Sequence, residues 1–367
     1  MLLLHFDQMK ILLLITGLGV GGAERQVCDL ADTFQKMGHE VMIVYMTGEA
    51  LVKPRSESVN LKKIQMNKNI CSFVKWFFSF VKTVNEFKPD VIHSHMVHAN
   101  IMARLASIFV DKNIKVISTA HNTNEGGRLR MLAYRLTDHL ADISTNVSQE
   151  AVDVFIKKKA APEGRMIVMH NGIDTDKFFP VGVNEFDFEF NKRNEKIFLA
   201  VGRLVEAKDY PNLLRAFDII SKENNVNLII AGDGPLRENL FKLCEALGIK
   251  DKVNFLGIRK DIPVLMNMAD YFVLSSKWEG FGLVVAEAMA SEKIVIATDC
   301  GGVAEVVGDA GFLVPAKNPK ILAEAMKKAM NLGEIESREM RKKARNRIIT
   351  KYSLTSVASK WIEIYKK

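Results

Sequence analysis

The chain has 367 residues, more than one hydrophobic core usually organises, so two domains are expected. With 48% apolar and 26% charged residues it reads as a folded soluble protein, and no apolar run reaches the roughly 20 residues a membrane-spanning helix needs. The net charge of +8, from 51 basic and 43 acidic residues, suits anionic surfaces or phosphorylated ligands and says nothing about fold.

The first expected strand is 10–16, in KILLLITGLGVGG. It is only strand length, His5 and Asp7 precede it, and Glu24 and Arg25 soon follow, so it is read as neither signal peptide nor anchor. Met9-Lys10 makes an equally natural start, and residues 1–8 are expected to be dispensable. The GLGVGGAERQ that follows places Gly17, Gly19, Gly21 and Gly22 between a strand and a helix, where backbone can approach a phosphate. The third glycine is out of register for a dinucleotide fingerprint, and an ordinary tight turn explains the stretch about as well.

Further strands are expected at 40–47, 90–95, 115–120, 142–148 and 166–170, each followed by a helical pattern. Residues 72–88, SFVKWFFSFVKTVNEFK, place Phe73, Phe77, Phe80, Val84 and Phe87 on one helical stripe expected to pack on the sheet. Phe78 falls off that stripe beside Lys75 and Lys82, and Trp76 lies at its margin; residues 53–88 carry eight basic and two acidic residues. Trp76, Phe78, Lys75 and Lys82 therefore suit a helix lying on an anionic lipid surface, weighed against ordinary core packing. His93, His95 and His98 have ligand-like spacing without a carboxylate nearby, and are expected in the loop beyond the strand rather than on a metal. His121 stands just past a strand end, in STAHNTNEGGRLR, and is read as a substrate contact.

After residue 171 the pattern breaks into GIDTDKFFPVGVNEFDFEFNKRNE, read as the linker, with DTD at 174–176 as a turn and helix start rather than a metal site. Strands resume at 197–201, 227–231, 253–257, 271–275, 294–298 and 312–314. Non-alternating Val, Ile and Leu runs suit parallel strands covered on both faces, and strand–helix alternation implies a doubly wound sheet in each half. VGRLVEAKDY puts Arg203 and Lys208 just beyond a strand, suited to a diphosphate, although in isolation a solvated loop with ordinary surface charges is the better explanation. AGDGP follows the next strand as a turn opening a helix. In KWEGFGLVVAEAMA, Glu279 falls in a loop, the backbone near Phe281, Gly282 and Leu283 begins a helix, and Glu287 lies about a turn and a half into it. Carboxylates so placed can accept from the vicinal hydroxyls of a sugar. The four cysteines, Cys28, Cys71, Cys244 and Cys300, lie far apart with no Cys-x-x-Cys, and are read as reduced thiols of a cytoplasmic protein without a zinc site.

EGFGLVVAE resembles the E-x7-E signature of retaining glycosyltransferases of family four. GGAERQ, HN at 121–122, NGID at 171–174, VGRLVEAKDY, AGDGP, FLG at 255–257 and TDCGGVAEVV fall in that family's order over nearly the whole chain. Two departures stand out: Asp209 where a glycine is common, and Ser291-Glu292 for a frequent Cys-Gly.

The resemblance implies an α/β GT-B fold, two Rossmann-like doubly wound domains facing across a cleft. Residues 1–173 would form the acceptor-side domain and 174–350, with a linker over about 174–195, the nucleotide-sugar domain. Residues 351–367 would form a helix returning to the first domain. Glu287 would hold the ribose, Glu279 the transferred sugar, and Arg203 and Lys208 the departing diphosphate. Backbone at Gly257 and Ile258 would meet the base, and that at Phe281, Gly282 and Leu283 the phosphates; Gly21 and Gly22 would lie near those phosphates and His121 near the donor sugar.

Arg203, Lys208, Glu279 and His121 would be the catalytic set, acting with retention and without a metal or other cofactor. Arg128, Arg130 and Arg135 would hold the diphosphate of a polyprenyl-linked acceptor. The expected activity is transfer of a hexose or N-acetylhexosamine from a nucleotide donor, UDP-linked, in glycan assembly on the inner face of the cytoplasmic membrane, with no nucleic-acid partner. The alternatives are a nucleotide-sugar epimerase of the same architecture, a transferase with a small soluble acceptor, and a non-catalytic sugar-binding protein.

Overall fold

The structure, a computed structural model, describes residues 8–66, 70–123, 126–181 and 195–367. Most of the expected linker and residues 1–7 therefore lie outside the described residues. The chain divides into two compact units, Met1–Gly172 with Leu354–Lys367, and Ile173–Ser353.

The first unit holds strands β1 (Lys10–Gly17), β2 (Glu40–Thr47), β3 (Asn60–Lys63), β4 (Val91–His95), β5 (Lys115–Ala120), β6 (Ile143–Asn146) and β7 (Met166–Val168). Its helices are α1 (Gly22–Lys36), α2 (Ile70–Phe87), α3 (Val97–Ala106), α4 (Arg128–Thr137) and α5 (Gln149–Lys157). All strands run parallel, in the order β3-β2-β1-β4-β5-β6-β7. Side chains alternate along β1. Ile11, Leu13 and Ile15 join α1 and the C-terminal helix, whereas Leu12 and Leu14 join Trp76, Phe80 and Val84 of α2 and Met102 of α3.

The second unit carries β8 (Lys196–Val201), β9 (Val226–Ala231), β10 (Val253–Gly257), β11 (Tyr271–Leu274), β12 (Ile294–Asp299) and β13 (Phe312–Pro315). Between and after them come α6 (Tyr210–Ser221), α7 (Arg237–Leu247), α8 (Ile262–Met268), α9 (Leu283–Ala290), α10 (Val303–Val307), α11 (Pro319–Met330) and α12 (Glu334–Tyr352); α13 (Leu354–Lys366) belongs to the first unit. The order is β10-β9-β8-β11-β12-β13, again all parallel. In both sheets the winding reverses beside the first strand, between β1 and β4 and between β8 and β11, and ligands of doubly wound sheets bind at such a reversal.

Several local expectations are corrected. The short edge strand β3, sequence NLKK, has no apolar run to announce it. Trp76 is fully buried, donates its indole N–H to the Ile64 carbonyl at 2.8 Å and stacks on Phe80, so it is no part of an exposed face. The buried stripe of α2 runs through Trp76, Phe80, Val84 and Phe87, while Phe73 is exposed. The helix has turned toward the residue whose polar N–H finds a partner. His93 and His95 are not loop residues: both lie buried in β4. Asp174 Oδ1 accepts from the N–H groups of Asp176 and Lys177, closing a turn that no helix continues.

Candidate active site

The reversal in the second sheet brings together the loops after β8 and β11, which are far apart in sequence. Lys208 Nζ lies 2.5 Å from Glu279 Oε1, and Ser276 Oγ donates to the same oxygen at 2.6 Å. Ser276 is fully buried, and its carbonyl accepts from Thr298 Oγ1 at 2.7 Å; Ser275 Oγ donates to the Lys208 carbonyl at 2.9 Å. By sequence, Lys208 is expected on a diphosphate and Glu279 on a sugar, with nothing joining them. Here they form one partly buried ion pair whose two hydrogen bonds both run to Oε1.

The loop after β12 supports Glu279 from behind. Gly301 has φ +58, and a side chain there would collide with the Glu279 backbone oxygen; the Gly302 N–H donates to the Gly280 carbonyl at 3.1 Å. TDCGG is thus a close-approach motif for the glutamate loop, a role the sequence reading did not assign. Tyr210 donates its hydroxyl to the Gly202 carbonyl at 3.0 Å. Burial first, and then the Glu279 carboxylate, push its phenol well above its usual range.

Glu287 is only 4% exposed, on α9 between the buried Ala286 and Ala288, so it is no surface residue. Phe281 turns its ring onto Tyr352, leaving its backbone as the part available at the helix start; Gly282 has φ +85 and Leu283 opens α9. Arg203 stands exposed two residues past β8. The Gly257 carbonyl is already engaged by the Gly232 N–H at 2.8 Å, whereas Ile258 is exposed. Asp209 and Glu292, the two departures from the family pattern, have φ of +45 and +56. Both are left-handed positions that favour glycine; Asp tolerates one, and its carboxylate lies 3.8 Å from Lys277 Nζ.

The first unit holds the remaining candidates. Gly21 and Gly22 are exposed at the start of α1, with the Glu24 carboxylate folded against Gly21. His121 is buried in the loop after β5, its Nε2 3.1 Å from His95 Nδ1. Arg128, Arg130 and Arg135 are exposed on α4, and the Arg130 side chain lies over Gly126. Leu129, Leu132 and Leu136, at helical spacing, are exposed among them, Leu129 at 83%. On α2, Phe78 is 62% exposed with Lys75 and Lys82 beside it, and Phe77 packs edge-on against the exposed Phe109.

Among the described residues no group of three or more His, Cys, Asp or Glu side chains is placed to hold a metal, and no helix is long and apolar enough to cross a membrane.

Residues 20–177 match the family model described as Glycosyltransferase Family 4, and residues 183–347 match Glycosyl transferases group 1. The chain is 28% identical over 286 residues to N-acetyl-alpha-D-glucosaminyl L-malate synthase of Bacillus anthracis, covering 75% of this chain and 74% of that protein. It is 26% identical over 321 residues to UDP-Gal:alpha-D-GlcNAc-diphosphoundecaprenol alpha-1,3-galactosyltransferase of Escherichia coli, covering 82% and 81%. The fold matches the crystal structure of HepE from Anabaena in complex with UDP, with a TM-score of 0.85 at 21% identity over 98% of this chain and 100% of that one.

Proposed function

This chain belongs to glycosyltransferase family four, and on that premise we propose that it moves a hexose or N-acetylhexosamine from a UDP-sugar to a glycan carried on a polyprenyl diphosphate. The observation that carries this reading is the Lys208–Glu279–Ser276 cluster at the reversal of the second sheet. A nucleotide sugar presents its leaving phosphate and its ring hydroxyls within a few ångströms of each other, so a cation and a carboxylate in contact match it.

In this reading Glu287 holds the ribose and Glu279 accepts from the transferred sugar. Arg203 and Lys208 meet the diphosphate as its charge grows, with the α9 N-terminus beside them. Charge already aimed at a developing anion lowers the barrier by a few kcal/mol per group, which makes a divalent metal unnecessary. No acid–base carboxylate pair of the hydrolase type is invoked; the acceptor hydroxyl attacks from the leaving-group face, the phosphate takes its proton, and configuration is retained.

A lipid-linked acceptor places the enzyme on the inner face of the cytoplasmic membrane. Two exposed surfaces of the first unit support this. Phe78 stands at helical spacing from Lys75 and Lys82, with the exposed Phe109 against the neighbouring Phe77, and the α4 leucines stand among Arg128, Arg130 and Arg135. Apolar side chains rimmed by cations suit anionic lipid, and the arginines suit the acceptor's diphosphate.

The similarity to an L-malate glycosyltransferase favours one second reading, a small soluble acceptor. A screen of nucleotide sugars against lipid-linked and soluble acceptors, read by mass spectrometry, separates the two. A product one sugar heavier on the lipid-linked acceptor supports the first reading. A product only on soluble acceptors supports the second. An epimer formed from donor alone, with neither product, overturns both.

A further inference from the structure

The first unit contains a ladder of buried imidazoles that the proposed chemistry leaves unexplained. His93 and His95 project from the same face of β4, and His95 is in register with Thr119 on β5. His121, two residues beyond Thr119, returns to that face. His93 is held at both ends, by the Tyr365 hydroxyl at 2.6 Å from Nδ1 and the Thr119 hydroxyl at 2.7 Å from Nε2. Trp361 of α13 covers it, 4.3 Å between ring centres. His95 differs. Its Nδ1 faces His121 Nε2 at 3.1 Å, but its Nε2 is fully buried and has no hydrogen-bond partner among the described residues.

One proton is shared across the His95–His121 contact, and it has two possible owners. If His121 Nε2 carried it, His95 would carry its own proton on the buried Nε2, as an N–H with no acceptor. If His95 Nδ1 carries it, the partnerless atom is a lone pair. Orphaned buried backbone N–H groups are rarer in folded proteins than under-satisfied backbone acceptors, and by the same preference the bare lone pair is the better tolerated of the two states.

We infer that His95 is a positioning residue: it donates Nδ1–H to His121 Nε2 and holds His121 neutral, in the tautomer that carries its proton on Nδ1. The environment agrees. Burial is the largest cause of the depression of all three, pushing His121 down to about 4 and His93 to about 3 and lowering His95 well below its ordinary value, and the neighbouring imidazoles add to it at His93 and His95. Among the described residues, Thr119 from β5 and Trp361 and Tyr365 from α13 face His93 in the ladder. With Nε2 occupied as an acceptor, His121 is excluded as a general base through that atom. Whatever it offers a substrate is the polarity of a fixed, uncharged ring.

The functional consequence rests on the reading of His121 as a donor-sugar contact, but the tautomer does not, so the two can fail separately. Long-range nitrogen–proton correlation spectra of the full chain with labelled histidine, at pH 7 and without substrate, report which ring nitrogen bears the proton. The His121 signals are assigned by their loss in His121→Gln. The expected result is protonated Nδ1 and bare Nε2 in the parent and in His95→Asn, whose amide can still donate, and a mixture of tautomers in His95→Leu. A proton on Nε2 in the parent overturns the inference even if His95→Leu does not fold, as does an unchanged tautomer in a folded His95→Leu. Turnover with the UDP-sugar that passes the donor screen should fall about tenfold in His95→Leu at unchanged KM and largely recover in His95→Asn. An unchanged rate beside the expected tautomer shift would show that His121 is not a substrate contact.

Discussion

Glu279 is held by two groups of different character, and that difference can be measured. Lys208 supplies charge, whereas Ser276, fully buried two residues past β11, supplies only direction. Removing a hydrogen bond to a charged group costs about 1.5–3 kcal/mol, so Ser276→Ala should lower the melting temperature by several degrees and, through the misplaced Glu279 carboxylate, lower kcat by roughly ten- to a hundredfold. In a Glu279→Gln background the same change should have almost no further effect; an equal loss there would show that Ser276 acts elsewhere. Glu292 tests a different residue-scale point. Its φ of +56 strains an L-residue by roughly 1–2 kcal/mol, partly offset by the greater unfolded-state freedom of glycine. Glu292→Gly should therefore raise the melting temperature by about 1–3 °C, and a fall would contradict the strain argument. Both family departures were visible as residues, but their left-handed backbone was not. Ser276 was invisible for a simpler reason: a serine two residues past a strand carries no signal until the loop conformation that turns its hydroxyl onto Glu279, three residues on, is known.

Elements announced themselves when their burial was two-sided. The runs in β1, β2, β8, β9 and β12 are apolar almost throughout because both faces are covered, and their expected bounds match the structure within a residue or two. β3 escaped notice because an edge strand of Asn, Leu and two lysines resembles a loop. The face of α2 was misjudged by part of a turn because the aromatic residues crowd nearly every position, and only the Ile64 carbonyl decides that Trp76 goes inward. What remains outward is Phe73, Val74 and Phe78. The pairing of Lys208 with Glu279 was within reach of the sequence, since the two loops follow the strands flanking the reversal of a doubly wound sheet. At this scale the membrane proposal is tested by changing Phe78 to Ser with Lys75 and Lys82 to Glu. Binding to anionic liposomes should weaken and become less salt-sensitive, while activity on a short soluble acceptor survives. Undiminished liposome binding would remove α2 from the membrane face and leave the α4 leucines to be tested.

Across the whole molecule, one strand order serves both units, but the two sheets place different chemistry at their reversals. The second gathers charge, and the first gathers neutral imidazoles under α13. The imidazoles make stability depend on pH. A histidine whose folded value is depressed stabilises the fold fully above its unfolded value, near 6.5. That contribution is lost as pH falls toward the folded value, here about 4 for His121 and about 3 for His93. Each group loses roughly 1.4 kcal/mol per pH unit in that window. Melting temperature should accordingly drop between pH 6.5 and 5, with exchange protection lost first in β4, β5 and α13. Equal stability at pH 7 and pH 5 would contradict the buried ladder.

The claim on which the functional account turns is that charge in the second unit, rather than a metal, drives departure of the diphosphate. Single-turnover sugar transfer in EDTA, at saturating donor, tests it directly for the parent, Arg203→Ala and Lys208→Ala. The account predicts full parental activity in EDTA, near-normal donor binding by both variants, and transfer slowed by about a hundred- to a thousandfold in each. Parental activity lost in EDTA and restored by magnesium or manganese, or an unchanged transfer rate in Arg203→Ala, would contradict it.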